Sequence, residues 1–432
     1  MNIKDELQKN SQNANGKIFD FFFDSRALNY KSLLKGFNKE IFNLFDLTYK
    51  DLNIDKNINE LFHGEEINVT EKQSALQHIY RDIFSEKPKN FQSDELLQNC
   101  KNSIQECIEL RTKLLDKGIK NIVTIGIGGS FEGPKLLIET LTNSSTRHFN
   151  HIFLTGPDYI EFNETVEPLV QEETFFIVSS KSFSTDETLQ SLELAKNWIL
   201  QNCKFNDHFI AITSQPNKAK ELDFNKMITF PNEIGGRYSM WSPISLPAIL
   251  ELGKDFVDFL EGGGEADNQL LYDSKYKDFI KTLSYSDLWY SNFMHKETRV
   301  LLTYSWKMRF FNDYAQQLEM ESIGKQPNKN SLFQKTGQIV FGGFGSTAQH
   351  SYFQLLHQGT SSVCVDIFTI EDYKNKNKLL FAQSQAQANL LANGDNADLK
   401  DYEKVNSNVP TNLFTLKILN SFNLGYLIAI SQ

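Results

Sequence analysis

Asn121–Lys135, NIVTIGIGGSFEGPK, is the stretch from which the fold can be read. Ile122, Val123, Ile125 and Ile127 form an apolar, β-branched run, which predicts a strand over 121–127 buried on both faces. The run stops at Gly128-Gly129-Ser130, where missing side chains would let a ligand approach the backbone and Ser130 offers a hydroxyl. A helix following the glycines would direct its first amide groups at an anion. The same glycines also suit a tight strand-to-helix turn with no ligand. Two nucleotide loops are excluded: Gly-Lys-Ser/Thr is absent, and Phe131 stands where the dinucleotide fingerprint needs glycine. A phosphate or a sugar fits the loop better than a nucleotide.

The chain has 432 residues, enough for two domains with substantial cores, and its 40% hydrophobic and 23% charged content is ordinary for a globular protein. A net charge of −10 argues against a nucleic-acid partner, because backbone phosphate binding relies on clustered Lys and Arg. An anionic substrate must then be held by a local positive site. The polar N-terminus, MNIKDELQKNSQNANGK, lacks the apolar core of a secretory signal, and no apolar run is long enough to cross a bilayer. Cys100, Cys107, Cys203 and Cys364 form neither a disulfide framework nor a metal spacing, so reduced thiols and a cytoplasmic location are expected, with no metal.

Period and capping signals predict a mainly helical N-terminal region over 1–110, including a helix begun by the capping box Thr70-Glu71-Lys72-Gln73. Beyond it, short β-rich runs alternate with helical ones: strands 121–127, 151–155, 174–179 and 208–213, helices 133–142 and 185–200. The glycines of Glu261–Glu265 suggest a domain boundary, or else a loop within a helical pair. A second series follows, with strands 298–304, 338–342 and 361–368 and helices 306–319, 347–357 and 376–392. The expected class is α/β: two tandem doubly wound parallel-sheet domains, 111–262 and 263–432, behind the helical region.

Four further stretches carry chemistry. Val178–Thr185, VSSKSFST, follows the apolar strand Phe175-Phe176-Ile177 and sets hydroxyls and one ammonium at the carboxyl edge of a sheet. Ser180, Lys181, Ser182 and Thr185 suit a phosphate, while a Ser184-Thr185-Asp186-Glu187 capping box accounts for Ser184 and Glu187. In Gly235-Gly236-Arg237-Tyr238-Ser239 the glycines could present the Arg237 guanidinium to developing negative charge, or Arg237 could simply lie at the surface. Gln317–Lys325, QLEMESIGK, contains Glu319 and Glu321, which cannot share a helix face; one could act as a general base while the other faces solvent. His350 and His357 could each exchange protons or merely pack, and spacing does not choose between them.

Taken together these motifs resemble phosphoglucose isomerase. Ile-Gly-Gly-Ser, the Ser-Lys-Ser-Phe-Ser-Thr loop, Gly-Gly-Arg-Tyr-Ser, Met-Glu-Ser-x-Gly-Lys and Gln-His before a helix ending His-Gln-Gly occur in that family's order. Gly64–Arg81, GEEINVTEKQSALQHIYR, resembles its N-terminal region, and the likeness spans roughly 60 to 430. The resemblance implies sugar-isomerase-type (SIS) domains that isomerise glucose 6-phosphate and fructose 6-phosphate without cofactor or metal. Gly129, Ser130, Ser180, Lys181, Ser182, Ser184 and Thr185 would hold the sugar phosphate, and Gln317 would contact substrate. Glu321 matches the base, Arg237 the group that steadies the enediolate, and His350 the ring-opening histidine. Family members are commonly homodimers in which that histidine comes from the neighbouring subunit.

The sequence departs from the family at Ile323, where asparagine is usual, and at Pro243 and Pro247, which stiffen the segment after Gly-Gly-Arg-Tyr-Ser. The family also continues past the equivalent of Asn423–Ile430 to a Gln-Gly-Val-Glu segment and a ring-opening lysine, for which Lys417 is no substitute. Two expectations follow: weaker turnover, and an exposed apolar surface at Leu424, Tyr426, Leu427 and Ile428. The alternative function is a non-catalytic sugar-phosphate sensor, against which stand Glu321, Arg237 and His350, since a sensor needs no base.

Overall fold

The computed structural model describes residues 3–14, 18–85, 93–395, 399–400 and 402–432, so parts of the N-terminal region (1–2, 15–17 and 86–92) lie outside them. Strands in chain order are β1 (Ile18–Phe19), β2 (Phe22–Asp24), β3 (Leu28–Lys35), β4 (Asn121–Ile125), β5 (Asn150–Leu154), β6 (Thr174–Ser179), β7 (Phe209–Thr213), β8 (Met227–Thr229), β9 (Thr298–Thr303), β10 (Ile339–Phe344), β11 (Val363–Ile370) and β12 (Thr411–Leu416). The chain forms two compact units, Asn59–Gly264 and Met1–Ile58 with Glu265–Gln432.

In the unit Asn59–Gly264, five parallel strands lie in the order β5-β4-β6-β7-β8. Every residue of β6 and β7 is buried, as apolar runs covered on both faces require. Val123, Ile125, Phe176, Val178 and Phe209 pack with Leu192, Ala195 and Ile199 of the helix Asp186–Ile199. The chain passes from β4 to β5 on one side and then returns to β6 on the other. That reversal makes the carboxyl ends of β4 and β6 a topological switch point, the place where open α/β sheets bind ligands.

The other unit repeats the logic in β10-β9-β11-β12, whose neighbouring strands are all parallel. Its sheet is extended by β3, antiparallel to β12, with Tyr30 opposite Phe414 and Leu33 opposite Thr411. Tyr30 packs on Phe279 and Phe414 at centroid distances of 4.7 and 5.1 Å, and Phe368 stacks on Phe414 at 4.8 Å. The α/β class and the two parallel sheets match the sequence expectation, and so do the N-terminal helices Lys39–Asp51 and Asp94–Asp116.

Several details depart from it. Residues 1–110 do not stand apart as one region: 1–58 supply strands to one unit and the rest belongs to the other. Thr70–Gln73 starts no helix, because Asn68 Oδ1 captures the Thr70 hydroxyl at 3.0 Å and the Glu71 amide at 3.3 Å. This local bonding competes with a helix start, and only a 3-10 turn, Gln77–Arg81, follows. Glu261–Glu265 lies within the helix Asp255–Tyr272 rather than in a loop, and the division between the two units falls inside it, after Gly264. Its glycines serve packing, since a Cβ on Gly264 would lie 2.4 Å from the Arg81 carbonyl oxygen and one on Gly263 2.8 Å from the Trp241 ring.

The helix Ser421–Ser431 overturns the expectation of an exposed apolar face. Leu424, Tyr426, Leu427 and Ile428 are at most 1% exposed. Tyr426 meets Tyr276 edge-on at 6.0 Å and donates its hydroxyl to Gln269 Oε1, while Gln432 Nε2 donates to the Tyr314 hydroxyl at 2.9 Å. The aromatic helix Ser274–Phe293 contributes to the cover that the sequence pattern alone did not reveal.

Candidate active site

In the unit Asn59–Gly264 the glycine loop, the hydroxyl loop and the arginine loop converge. Gly128–Ser130 forms a 3-10 turn at the end of β4, with Gly128 at φ +57°, a conformation that favours glycine. Gly129 lies so close to the arginine loop that a Cβ would sit 1.9 Å from the Gly236 carbonyl oxygen. The helix Glu132–Leu141 begins directly after the turn, so its amino end lies beside the glycine loop.

The hydroxyl loop leaves β6, the strand next to β4. Ser180 is 6% exposed and its Oγ accepts the Phe183 amide at 3.1 Å, while a hydroxyl that accepts can still donate its own proton. Phe183 holds φ +48°, a left-handed conformation costing about 1–2 kcal/mol for a non-glycine residue. Burial of its ring edge-on against Phe224 at 5.5 Å offsets that cost. The expected Ser184 capping box does not form: the helix starts at Asp186, its N-cap is Thr185, and no side chain caps it. Ser182 and Ser184 are exposed, and Lys181 and Thr185 are half-buried.

Lys218, which the sequence reading did not single out, donates its ammonium to the Ser182 carbonyl at 3.0 Å and adds positive charge beside the loop. No local motif marks it; only the fold brings it there. Arg237 is half-buried with its guanidinium 4.8 Å from the Tyr238 ring centre. Behind this loop the buried Arg81 guanidinium lies 4.5 Å from the Trp241 ring centre. The N-terminal motif thus braces the arginine loop.

In the other unit, the expected helix 306–319 is split into a 3-10 turn Trp306–Met308, a helix Phe311–Gln316 and a π-helical turn Gln317–Glu321. Such turns interrupt ordinary helices and are frequent at functional sites. Glu319 is drawn inward to pair with Arg299 of β9. Glu321 is exposed and its Oε2 accepts from Gln317 Nε2 at 3.0 Å. The helix expected over 347–357 is likewise broken into Gly345–Gln349 and Phe353–Gln358. His350, between the pieces, is exposed. His357 is bonded through Nε2 to Gln387 Oε1 at 2.9 Å and packed edge-on against Phe353. Of each pair the sequence left open, one member is engaged in structure and the other faces solvent.

Residues 34–431 match the family described as phosphoglucose isomerase. The chain belongs to this family. The glucose-6-phosphate isomerase of Legionella pneumophila (strain Lens) is 30% identical over 91% of this chain and 81% of its own length. That of Shewanella putrefaciens is 34% identical, covering 90% of this chain and 78% of its own. A solved glucose-6-phosphate isomerase from Chlamydia trachomatis shares the fold with a TM-score of 0.86 at 22% identity, covering 98% of this chain and 84% of that one. Ile323 is one of the expected departures from the family pattern. Its side chain lies against Gly337, where a Cβ would meet Ile323 Cγ1 at 2.7 Å.

Proposed function

We propose that this phosphoglucose isomerase interconverts glucose 6-phosphate and fructose 6-phosphate through an enediolate, with Glu321 as the base. The observation that carries this reading, beside family membership, is the gathering of the glycine, hydroxyl and arginine loops at the switch point of β4 and β6. Gly129, Ser130, Ser180, Lys181, Ser182, Ser184 and Thr185 suit the phosphate: amides and hydroxyls donate to its oxygens, and Lys181 with Lys218 supplies local positive charge on a chain of net negative charge.

Anchoring the phosphate makes proton transfer effectively intramolecular. Glu321 removes the C2 proton of the open-chain aldose, the C–H electron pair forms the C1–C2 double bond, and the carbonyl electrons move to O1. Arg237 offsets the resulting charge. A proton then passes from O2 to O1, the C1–C2 π pair takes the proton back from Glu321 at C1, and the electrons left on O2 re-form a carbonyl at C2. The substrate's own carbonyl is the electron sink, so neither cofactor nor metal is called for. His350 exchanges the ring-opening proton, for which its exposed imidazole is suited, and Gln317 orients Glu321 through their hydrogen bond. The working form we propose is a cytoplasmic homodimer that places His350 at the subunit interface.

A coupled assay of fructose 6-phosphate conversion tests the assignment. Glu321→Gln should lower kcat by at least about 10³-fold while KM changes little. Unchanged turnover in that variant would remove Glu321 from the mechanism, and binding without turnover in the unaltered protein would replace the enzyme with a sensor.

A further inference from the structure

Arg299 of β9 has a side chain only 11% exposed, and three carboxylates converge on it from three elements. Its Nη1 donates to Asp287 Oδ2 at 2.7 Å, its Nη2 pairs with Glu319, and its Nε faces Asp366 Oδ2 at 3.6 Å. Asp366 also accepts from Asn412 Nδ2 at 2.8 Å, and Asn412 Oδ1 accepts from the Tyr30 hydroxyl at 2.7 Å. A continuous polar chain therefore runs from β3 through β12 and β11 to the π-helical turn. Stability alone is a weak reason to bury such a cluster, because well-packed apolar residues often replace a buried ion pair at no cost.

We propose that Arg299 is a positioning residue for the isomerase reaction, holding Glu319 inward so that the π-helical turn presents Glu321 outward. The inference rests on Glu321 being the base. Residues two apart on a helical turn point to roughly opposite sides, so the side chain that fixes 319 also fixes the direction of 321. A second tether, Gln316 Nε2 to the Val340 carbonyl at 3.1 Å, secures the preceding turn to β10. Without the guanidinium, Glu319 would lie near two other carboxylates with nothing to offset their repulsion, and the turn would swing out. A displacement near 1 Å at a catalytic group is enough to cost about 10²-fold in rate.

The test uses Glu319→Gln, Arg299→Lys and Arg299→Met, with Glu321→Gln as reference. Turnover, the isotope effect with 2-deuterated glucose 6-phosphate, the Kd for glucitol 6-phosphate (which has no carbonyl to isomerise) and Tm are measured on each. Glu319→Gln should lower kcat about 10- to 100-fold, raise the isotope effect, and leave the glucitol 6-phosphate Kd within about twofold, because the phosphate loops are untouched. Arg299→Lys should retain more activity than Arg299→Met; should the latter fail to fold, Glu319→Gln carries the test. A folded Glu319→Gln protein with kcat within about twofold of the parent, or one whose Kd weakens in step with kcat, overturns the positioning role. An inactive Glu321→Gln beside a fully active Glu319→Gln removes only that role, whereas an active Glu321→Gln removes the base assignment itself.

Discussion

Gly129 has no room for any side chain, since the Gly236 carbonyl oxygen occupies the place of a Cβ at 1.9 Å. Gly129→Ala should therefore push the arginine loop away from the glycine loop and lower kcat/KM by at least about 10²-fold. Steady-state assays on folded protein check this, and activity within a few-fold of the parent would show that the two loops need not touch. Glu251 offers a pH test in the same unit. Its carboxylate, 3% exposed, accepts from His151 Nε2 and from the amides of His148 and Phe149, each at 2.9 Å. Burial alone would raise its pKa, but the His151 ring and the two amides hold it below the usual carboxylate value. A lowered carboxylate pKa contributes stability that is present above the unfolded value and lost as pH falls through the folded one. Glu251→Gln should thus cost about 1–3 kcal/mol at pH 7 in urea unfolding, with the difference shrinking below about pH 4. A pH-independent difference would assign the effect to packing.

At the scale of elements, legibility followed the range of the interactions. β4, β6, β9 and β11 could be read directly because parallel strands covered on both faces are continuous apolar runs. β3 could not, since its partner β12 lies at the far end of the chain and neither segment announces the other. The box at Thr70 had correct local chemistry with the wrong outcome, decided by an Asn68 side chain, while the glycines of 261–265 lie where the two units divide but stay helical, with Arg81 and Trp241 in close approach. The helix Ser421–Ser431 is buried by neighbours of its own unit. Tyr426→Ala should cost about 3–5 kcal/mol, as large buried aromatic truncations do. Denaturant titration measures it, and a loss below about 1 kcal/mol would mean the helix contributes little to that unit.

For the whole molecule, the acidic net charge of −10 and the cationic hydroxyl loop pull in opposite directions for an anionic substrate. If Lys181 and Lys218 hold the substrate phosphate as proposed, recognition is local, and kcat/KM should fall as inorganic phosphate is added at constant ionic strength, because the free anion competes there; no fall would remove these lysines from phosphate binding. If subunits share sites through His350, mixing the separately inactive Glu321→Gln and His350→Gln proteins under subunit exchange should restore turnover. No recovery after exchange has been verified would make each subunit's site self-contained.

The sequence by itself determined the α/β class, the family and the order of the chemical motifs, because these depend on residue type and short-range period. Only the tertiary structure decided which of two neighbouring glutamates is paired and which is exposed, and which histidine packs. Side chains two residues apart have nearly the same local propensities; what separates Glu319 from Glu321 is a guanidinium delivered by a strand twenty residues earlier, and contact at that range is a property of the fold.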